Sequence, residues 1–246
     1  MEWEIYPTPV QSNLGLMLVN LSYLNEGKVG DWPYLNWIRV LYDADSQGFP
    51  TQAEQHELEE ISDGITEQLG PRGAIVGRLS VDGRREFFVY SDEPCADEIM
   101  ATLQERFPAR RFTRRASEDP EWDVYFGFLC PDAVQLQRLA SHKGMQALQE
   151  QGDFTNIPRP VVHAAAFTDE SAAEEFGLFL EAMGFEITTQ EEVENEEAMR
   201  PFVIKCVGEH PVDVVGIERF VMPLFQKARE LGGEYGGWQC SAVIVS

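Results

Sequence analysis

The residues of this chain whose types could ligate a metal, or serve as nucleophile and base, are four cysteines and four histidines. A structural metal site needs closely spaced ligand pairs, and Cys95, Cys130, Cys206 and Cys240 stand far apart. His163 lies in an apolar stretch, where a histidine is more often a core residue than a base, His142 in a polar segment and His210 in a turn before Pro211. No Gly-x-Ser-x-Gly elbow, phosphate-binding glycine loop or His-Glu-x-x-His motif is present. This pattern predicts no local catalytic centre, no metal and no cofactor, and therefore not an enzyme. The nearest approach to a metal loop is Asp43-Ala-Asp-Ser-Gln-Gly48, with Glu54 at the twelfth place, where calcium ligands would belong. A turn followed by a helix cap accounts for the same residues.

Charge offers more. The 246 residues include 42 acidic and 19 basic ones, a formal net charge of −23. Such a surface repels phosphate backbones, so direct nucleic-acid binding is not expected, and a protein partner with a basic surface suits it. The most acidic stretch is Glu191-Glu-Val-Glu-Asn-Glu-Glu197. Glu191, Glu192, Glu194, Glu196 and Glu197 would form a patch that steers a basic partner, or else a solvated loop. Nine of the nineteen basic residues fall between Arg72 and Arg115. If Arg84, Arg85, Arg111 and Arg114 lay on adjacent strands, with Phe87, Phe88 and Phe112 between them, they would form a positive stripe able to hold an anion. Pairing with the surplus carboxylates is the plainer reading. Near the end, Glu234-Tyr-Gly-Gly-Trp238 offers Tyr235 and Trp238 either as aromatic interface anchors or as core fillers.

These side chains must be carried by regular elements. Apolar segments 3–10 and 14–24 read as strands joined by a short turn, and 34–42 as a further strand. Thr51 sits where an N-cap belongs, before Leu58, Ile61, Ile65 and Leu69 at helical spacing, and Gly70-Pro71 stops that helix. Strands 74–81 and 85–90 flank Asp82-Gly83, a hairpin signal. A helix with Ile99, Leu103 and Phe107 on one face follows, then strands 111–114 and 123–129.

After a connecting helix that starts at Pro131-Asp132, strand 161–167, helix 170–183, strands 185–189 and 201–207, a long helix from Val214 to Leu231 and strand 238–245 repeat the same order. Pro223 predicts a kink in that helix. The order β-α-β-β-α-β occurring twice predicts an α+β protein of two tandem ferredoxin-like sandwiches, residues 1–131 and 132–246, the first with an extra N-terminal β-hairpin. No apolar run approaches the roughly 20 residues that span a bilayer, and the start lacks a leader pattern. With unpaired cysteines, this predicts a cytoplasmic protein.

Three segments of the second half carry a resemblance: Pro160-Val-Val-His-Ala-Ala-Ala-Phe167, Glu181-Ala-Met-Gly-Phe185 and the ending Gly232-Gly-Glu-Tyr-Gly-Gly-Trp238. Together they resemble the family called regulator of ribonuclease E activity B, whose members typically end in Gly-Gly-x-Tyr-Asp-Gly-Trp-Glu. Gly236 and Gln239 stand here where that pattern has its two acids. In the first half, Trp32-Pro-Tyr-Leu-Asn-Trp-Ile-Arg39, Gly48-Phe-Pro50 and Gly83-Arg-Arg-Glu-Phe-Phe-Val-Tyr90 resemble a bacterial domain-of-unknown-function family, number six-nine-five.

The resemblance implies a bacterial protein that binds ribonuclease E, inhibits it and changes which RNAs are cut. An arginine-rich ribonuclease scaffold would meet an acidic regulator through carboxylate–guanidinium pairs. The alternative class is an enzyme or small-ligand binder using a cleft between the two domains, which clustered polar groups of perturbed pKa would mark.

Overall fold

The computed structural model describes residues 2–26, 31–192 and 199–244. It divides into two compact units, Met1–Pro131 and Asp132–Ser246, each an α+β arrangement on one antiparallel sheet.

The first unit opens with the hairpin β1 (Trp3–Val10) and β2 (Asn13–Asn20), paired residue for residue from Trp3↔Asn20 to Val10↔Asn13. The strand expected to run on to residue 24 stops at Asn20, whose side-chain oxygen accepts the Ser22 N–H and starts the short helix α1 (Ser22–Glu26). Strand β3 (Tyr34–Leu41) and helix α2 (Gln52–Leu69) follow, the helix capped by the Thr51 hydroxyl. Strands β4 (Gly73–Val81) and β5 (Arg84–Ser91) meet at Asp82 and Gly83, both at positive φ (49° and 71°), the turn that this dipeptide favours. Helix α3 (Ala96–Arg106) and strand β6 (Phe112–Glu118) complete a sheet of order β1-β2-β4-β5-β3-β6. Helices α2 and α3 bury Leu58, Ile61, Ile65, Ile99 and Leu103 on one face, against Ile38, Val40, Phe87 and Val89.

Residues 123–129 are not the strand that their aromatic content suggested. They form a helical segment ending in a wide turn over Tyr125–Leu129, laid on the sheet face away from α2 and α3. Trp122, Tyr125 and Leu129, all fully buried, recur at intervals of three and four, which is a helical period. The Asp119 carboxylate accepts the N–H groups of Asp123 and Val124 and so starts the turn. Trp122 stacks on Tyr90 at 4.1 Å, and the Tyr125 hydroxyl donates to the Asn20 carbonyl at 2.6 Å.

The second unit begins with α4 (Ala133–Glu150), whose Asp132 and Gln135 form a capping box. Strand β7 (Arg159–Phe167), helix α5 (Glu170–Ala182), strand β8 (Glu186–Glu192) and strand β9 (Phe202–His210) follow. The expected long helix is broken into α6 (Val214–Gly216), a wide turn over Ile217–Val221 and α7 (Met222–Glu230). Pro223 has no N–H to give the Arg219 carbonyl, and the backbone widens just before it. Strand β10 (Glu234–Cys240) starts four residues earlier than expected, because Gly232 (φ 70°) turns the chain straight back into the sheet. The sheet order is β10-β7-β9-β8. Phe167, Phe176, Leu180, Ile204, Val221 and Leu224 fill its core.

Candidate functional site

The glycine-rich tail motif builds the edge strand β10 and fixes what its two aromatics do. A Cβ on Gly233 would collide with the Phe167 ring, and Gly237 (φ 97°) sits in the bulge where the β10–β7 register shifts. Tyr235 is thereby turned inward and is only 8% exposed. Its hydroxyl lies 2.6 Å from His163 Nδ1, His163 Nε2 lies 2.9 Å from His210 Nε2, and His210 Nδ1 lies 2.8 Å from the Pro211 carbonyl.

A carbonyl only accepts, so His210 carries its proton on Nδ1 and presents a bare Nε2. His163 then donates from Nε2 and accepts the Tyr235 hydroxyl at Nδ1, and both rings are neutral. Burial, helped by the neighbouring His210, pushes His163 down to about 3. Burial also lowers His210, raises the Tyr235 phenol and pushes the Cys206 thiol up to about 12. These groups are held in their neutral forms. Their arrangement ties three strands together and supplies no activated nucleophile.

Tyr235 is therefore not presented as an interface anchor; its hydroxyl needed a buried acceptor and found one in His163. Trp238 is half-buried. Its Nε1 donates to Ser141 Oγ at 3.3 Å, and Gly144 leaves room for its ring on α4. A shallow cavity of about 300 Å³ lies along it, between Gln137, Leu148 and Gln239. Glu191 and Glu192 end strand β8, at the opposite edge of the sheet from β10, with Glu192 exposed. The acidic and aromatic candidates therefore do not share one strand edge. Glu194, Glu196 and Glu197 lie outside the described residues.

The expected arginine stripe is divided by strand alternation. Strand β3 lies between β5 and β6, so the two basic strands are not neighbours. Arg84 shares a face with Glu86 and donates to it at 3.1 Å. Arg85 points to the other side and donates to Ser80 and to Gln55 of α2. Arg114 is paired with Asp97 of α3, and Arg111 lies exposed in the turn before β6. No single positive stripe results. The calcium-like loop is a turn as well: Asp45 Oδ1 accepts the N–H groups of Gln47 and Phe49, and Glu54 pairs with Arg110 at 2.7 Å. Among the described residues no cluster of three His, Cys, Asp or Glu is placed to hold a metal ion.

Residues 1–130, more than half of the chain, match the model described as Family of unknown function (DUF695). The chain belongs to the DUF695 family. Residues 138–240 match a second model, Regulator of ribonuclease activity B. A curated protein of that description from Colwellia psychrerythraea (strain 34H / ATCC BAA-681) is 28% identical over 106 residues, 42% of this chain and 91% of the relative. The crystal structure of an unknown protein from Galdieria sulphuraria aligns over 86% of this chain and 99% of its own at 12% identity, with a TM-score of 0.26. That score is too low for the likeness to inform the fold.

Sequence reasoning missed three arrangements. In the DUF695 unit, the sheet face away from the helices is covered by Trp122 and Tyr125, whose signal was their helical spacing. In the regulator-like unit, His163, His210 and Tyr235 are 47 and 72 residues apart, and no local pattern joins them. There too Arg159, 4% exposed, donates to Asp153 at 2.5 Å, and Asp153 accepts the Val243 N–H. Hydrogen bonding holds this carboxyl below its ordinary range, although burial alone would raise it.

Proposed function

We propose that this chain is a non-catalytic regulator of ribonuclease activity that acts by protein–protein contact through residues 132–246, with ribonuclease E or a companion in RNA decay as its target. The observation that carries this reading is the match of residues 138–240 to the ribonuclease-regulator model. Charge supports it: between residues 132 and 246, 19 acidic side chains face 8 basic ones, a surplus of 11 that would draw an arginine-rich surface. Glu191, Glu192, Glu194, Glu196 and Glu197 are the steering patch of this reading, and the outer edge of Trp238 is its aromatic contact. Action by inhibition in the bacterial cytoplasm, where its free cysteines stay reduced, belongs to the same proposal.

The architecture is read more finely as two ferredoxin-like domains, residues 1–131 and 132–246. In each, a β-α-β-β-α-β run has its strands in the spatial order fourth, first, third, second, and the β1–β2 hairpin extends the first sheet beside β4.

The test is the rate of RNA cleavage by purified ribonuclease E with and without the full-length protein, beside a variant with the five glutamates changed to glutamine. Slower cleavage by the parent, and weaker inhibition by the variant, is the expected result. Unchanged cleavage at micromolar excess of the parent removes the reading.

A further inference from the structure

Arg85 is an unusual cation in this acidic chain. Its side chain is 8% exposed, with Nε donating to Ser80 Oγ and Nη2 to Gln55 Oε1, both at 2.9 Å. Its Nη1 is buried and makes no hydrogen bond among the described residues; the Glu59 carboxylate stands 3.5 Å away. A second guanidinium, Arg78, is 17% exposed and donates to the other oxygen of Glu59 at 2.7 Å. Two cations thus share one carboxylate, which also accepts from Gln55 at 2.7 Å. Burial and the nearby Arg78 both push the Arg85 guanidinium down from its ordinary value. An incompletely paired buried charge is costly, and a further anion would relieve it.

These groups line one side of a pocket of about 280 Å³. Ile5, Leu16 and Leu18 of the β1–β2 hairpin, with Phe49 and Pro50, form its apolar side. Small-ligand pockets begin at about this size and combine an apolar wall with a few convergent polar groups. Glu59 has a side chain 45% exposed and can turn out to water, so it reads as a tethered stand-in for a ligand's acid group.

We propose that this pocket binds a small organic anion, an acidic head group on a short apolar tail. The head group takes the place of Glu59 between Arg78 and Arg85, and the tail lies along Ile5, Leu16, Leu18 and Phe49. Guanidinium groups recognise carboxylate and phosphate alike, and here the head group would take one N–H from each arginine, Arg85 Nη1 and the Arg78 Nη1 that now holds Glu59. The site uses residues of the first unit alone and stands or falls apart from the ribonuclease reading.

Titration calorimetry on the full-length protein tests it with octanoate, octyl phosphate, octan-1-ol, acetate and inorganic phosphate. Octanoate or octyl phosphate is expected to bind at least tenfold more tightly than octanol and than the matching small anion, and the tighter of the two identifies the head group. Arg85 variants are open to misfolding, so the decisive variants are Arg78→Gln and Glu59→Gln at the more exposed groups. Arg78→Gln should weaken binding at least tenfold, whereas Glu59→Gln, which removes the competing carboxylate, should tighten it severalfold. Absence of binding by both amphiphilic anions, equal binding of octanol, or a Glu59→Gln variant that binds no more tightly than the parent would overturn the proposal.

Discussion

The Tyr235 hydroxyl donates to His163 Nδ1 at 2.6 Å, and His163 passes the constraint to His210 at 2.9 Å. Each ring has a single compatible tautomer, so a proton added to either one removes an acceptor that the core depends on. His163 is held at about 3, against about 6.5 in an unfolded chain. The unfolded state therefore binds the extra proton first as the pH falls. Stability contributed by this group is full above about pH 6.5 and declines from there toward pH 3, by up to about 1.4 kcal/mol per pH unit. His210, also lowered, acts in the same direction. Urea midpoints at pH 7 and pH 5 should show the loss, and His163→Gln should flatten it. An equal pH response in both proteins would contradict the assignment.

Tyr235→Phe keeps the ring in the core and removes the hydroxyl, leaving His163 Nδ1 buried without its donor. The expected cost is about 1–3 kcal/mol in denaturant unfolding, with the far-ultraviolet spectrum unchanged. A loss below about 0.3 kcal/mol would place Tyr235 outside the network.

Adjacent glycines in the tail motif should respond differently. Gly237 is at φ 97° with open space around its Cα, so Gly237→Ala adds backbone strain of about 1–2 kcal/mol and nothing else. A Cβ on Gly236 would meet ordinary contacts at 3.5 and 3.6 Å, so Gly236→Ala should stay within about 0.5 kcal/mol. Thermal midpoints of the two variants decide the matter, and a reversed order would mean that the bulge is misplaced.

Trp122 carries the cover over the first sheet. It is fully buried, stacks on Tyr90 and donates Nε1 to the Trp32 carbonyl at 3.0 Å. Trp122→Ala should destabilise the first unit by about 3–5 kcal/mol. An unfolding curve shifted by less than about 1 kcal/mol would show that residues 123–129 do not seal the sheet.

What was legible in the sequence was what local chemistry decides. Strand β1 has the bounds that its apolar pattern indicated, Thr51 caps α2, and Asp82-Gly83 makes the hairpin turn. Aromatic content alone points residues 123–129 to a strand, and only the three- and four-residue spacing of Trp122, Tyr125 and Leu129 marks the helical turn that they form. Pro223 announces a disturbance of the helix, but not the wide turn over Ile217–Val221 that absorbs it. The arginines show another boundary. Alternation separates Arg84 from Arg85 on any strand, but the strand order β5-β3-β6 is a tertiary fact. Tyr235 was an open choice between anchor and core, because its partner lies 72 residues away.

A regulator that acts through residues 132–246 must touch its ribonuclease directly. Calorimetric titration of the full-length protein into purified ribonuclease E, at about 0.05 M and about 0.3 M salt, reads that contact while the screening length falls by roughly half. Saturable binding that weakens at the higher salt is expected, because carboxylate–guanidinium attraction contributes to it. No heat of binding at either salt, with both proteins folded and at tens of micromolar, would contradict it.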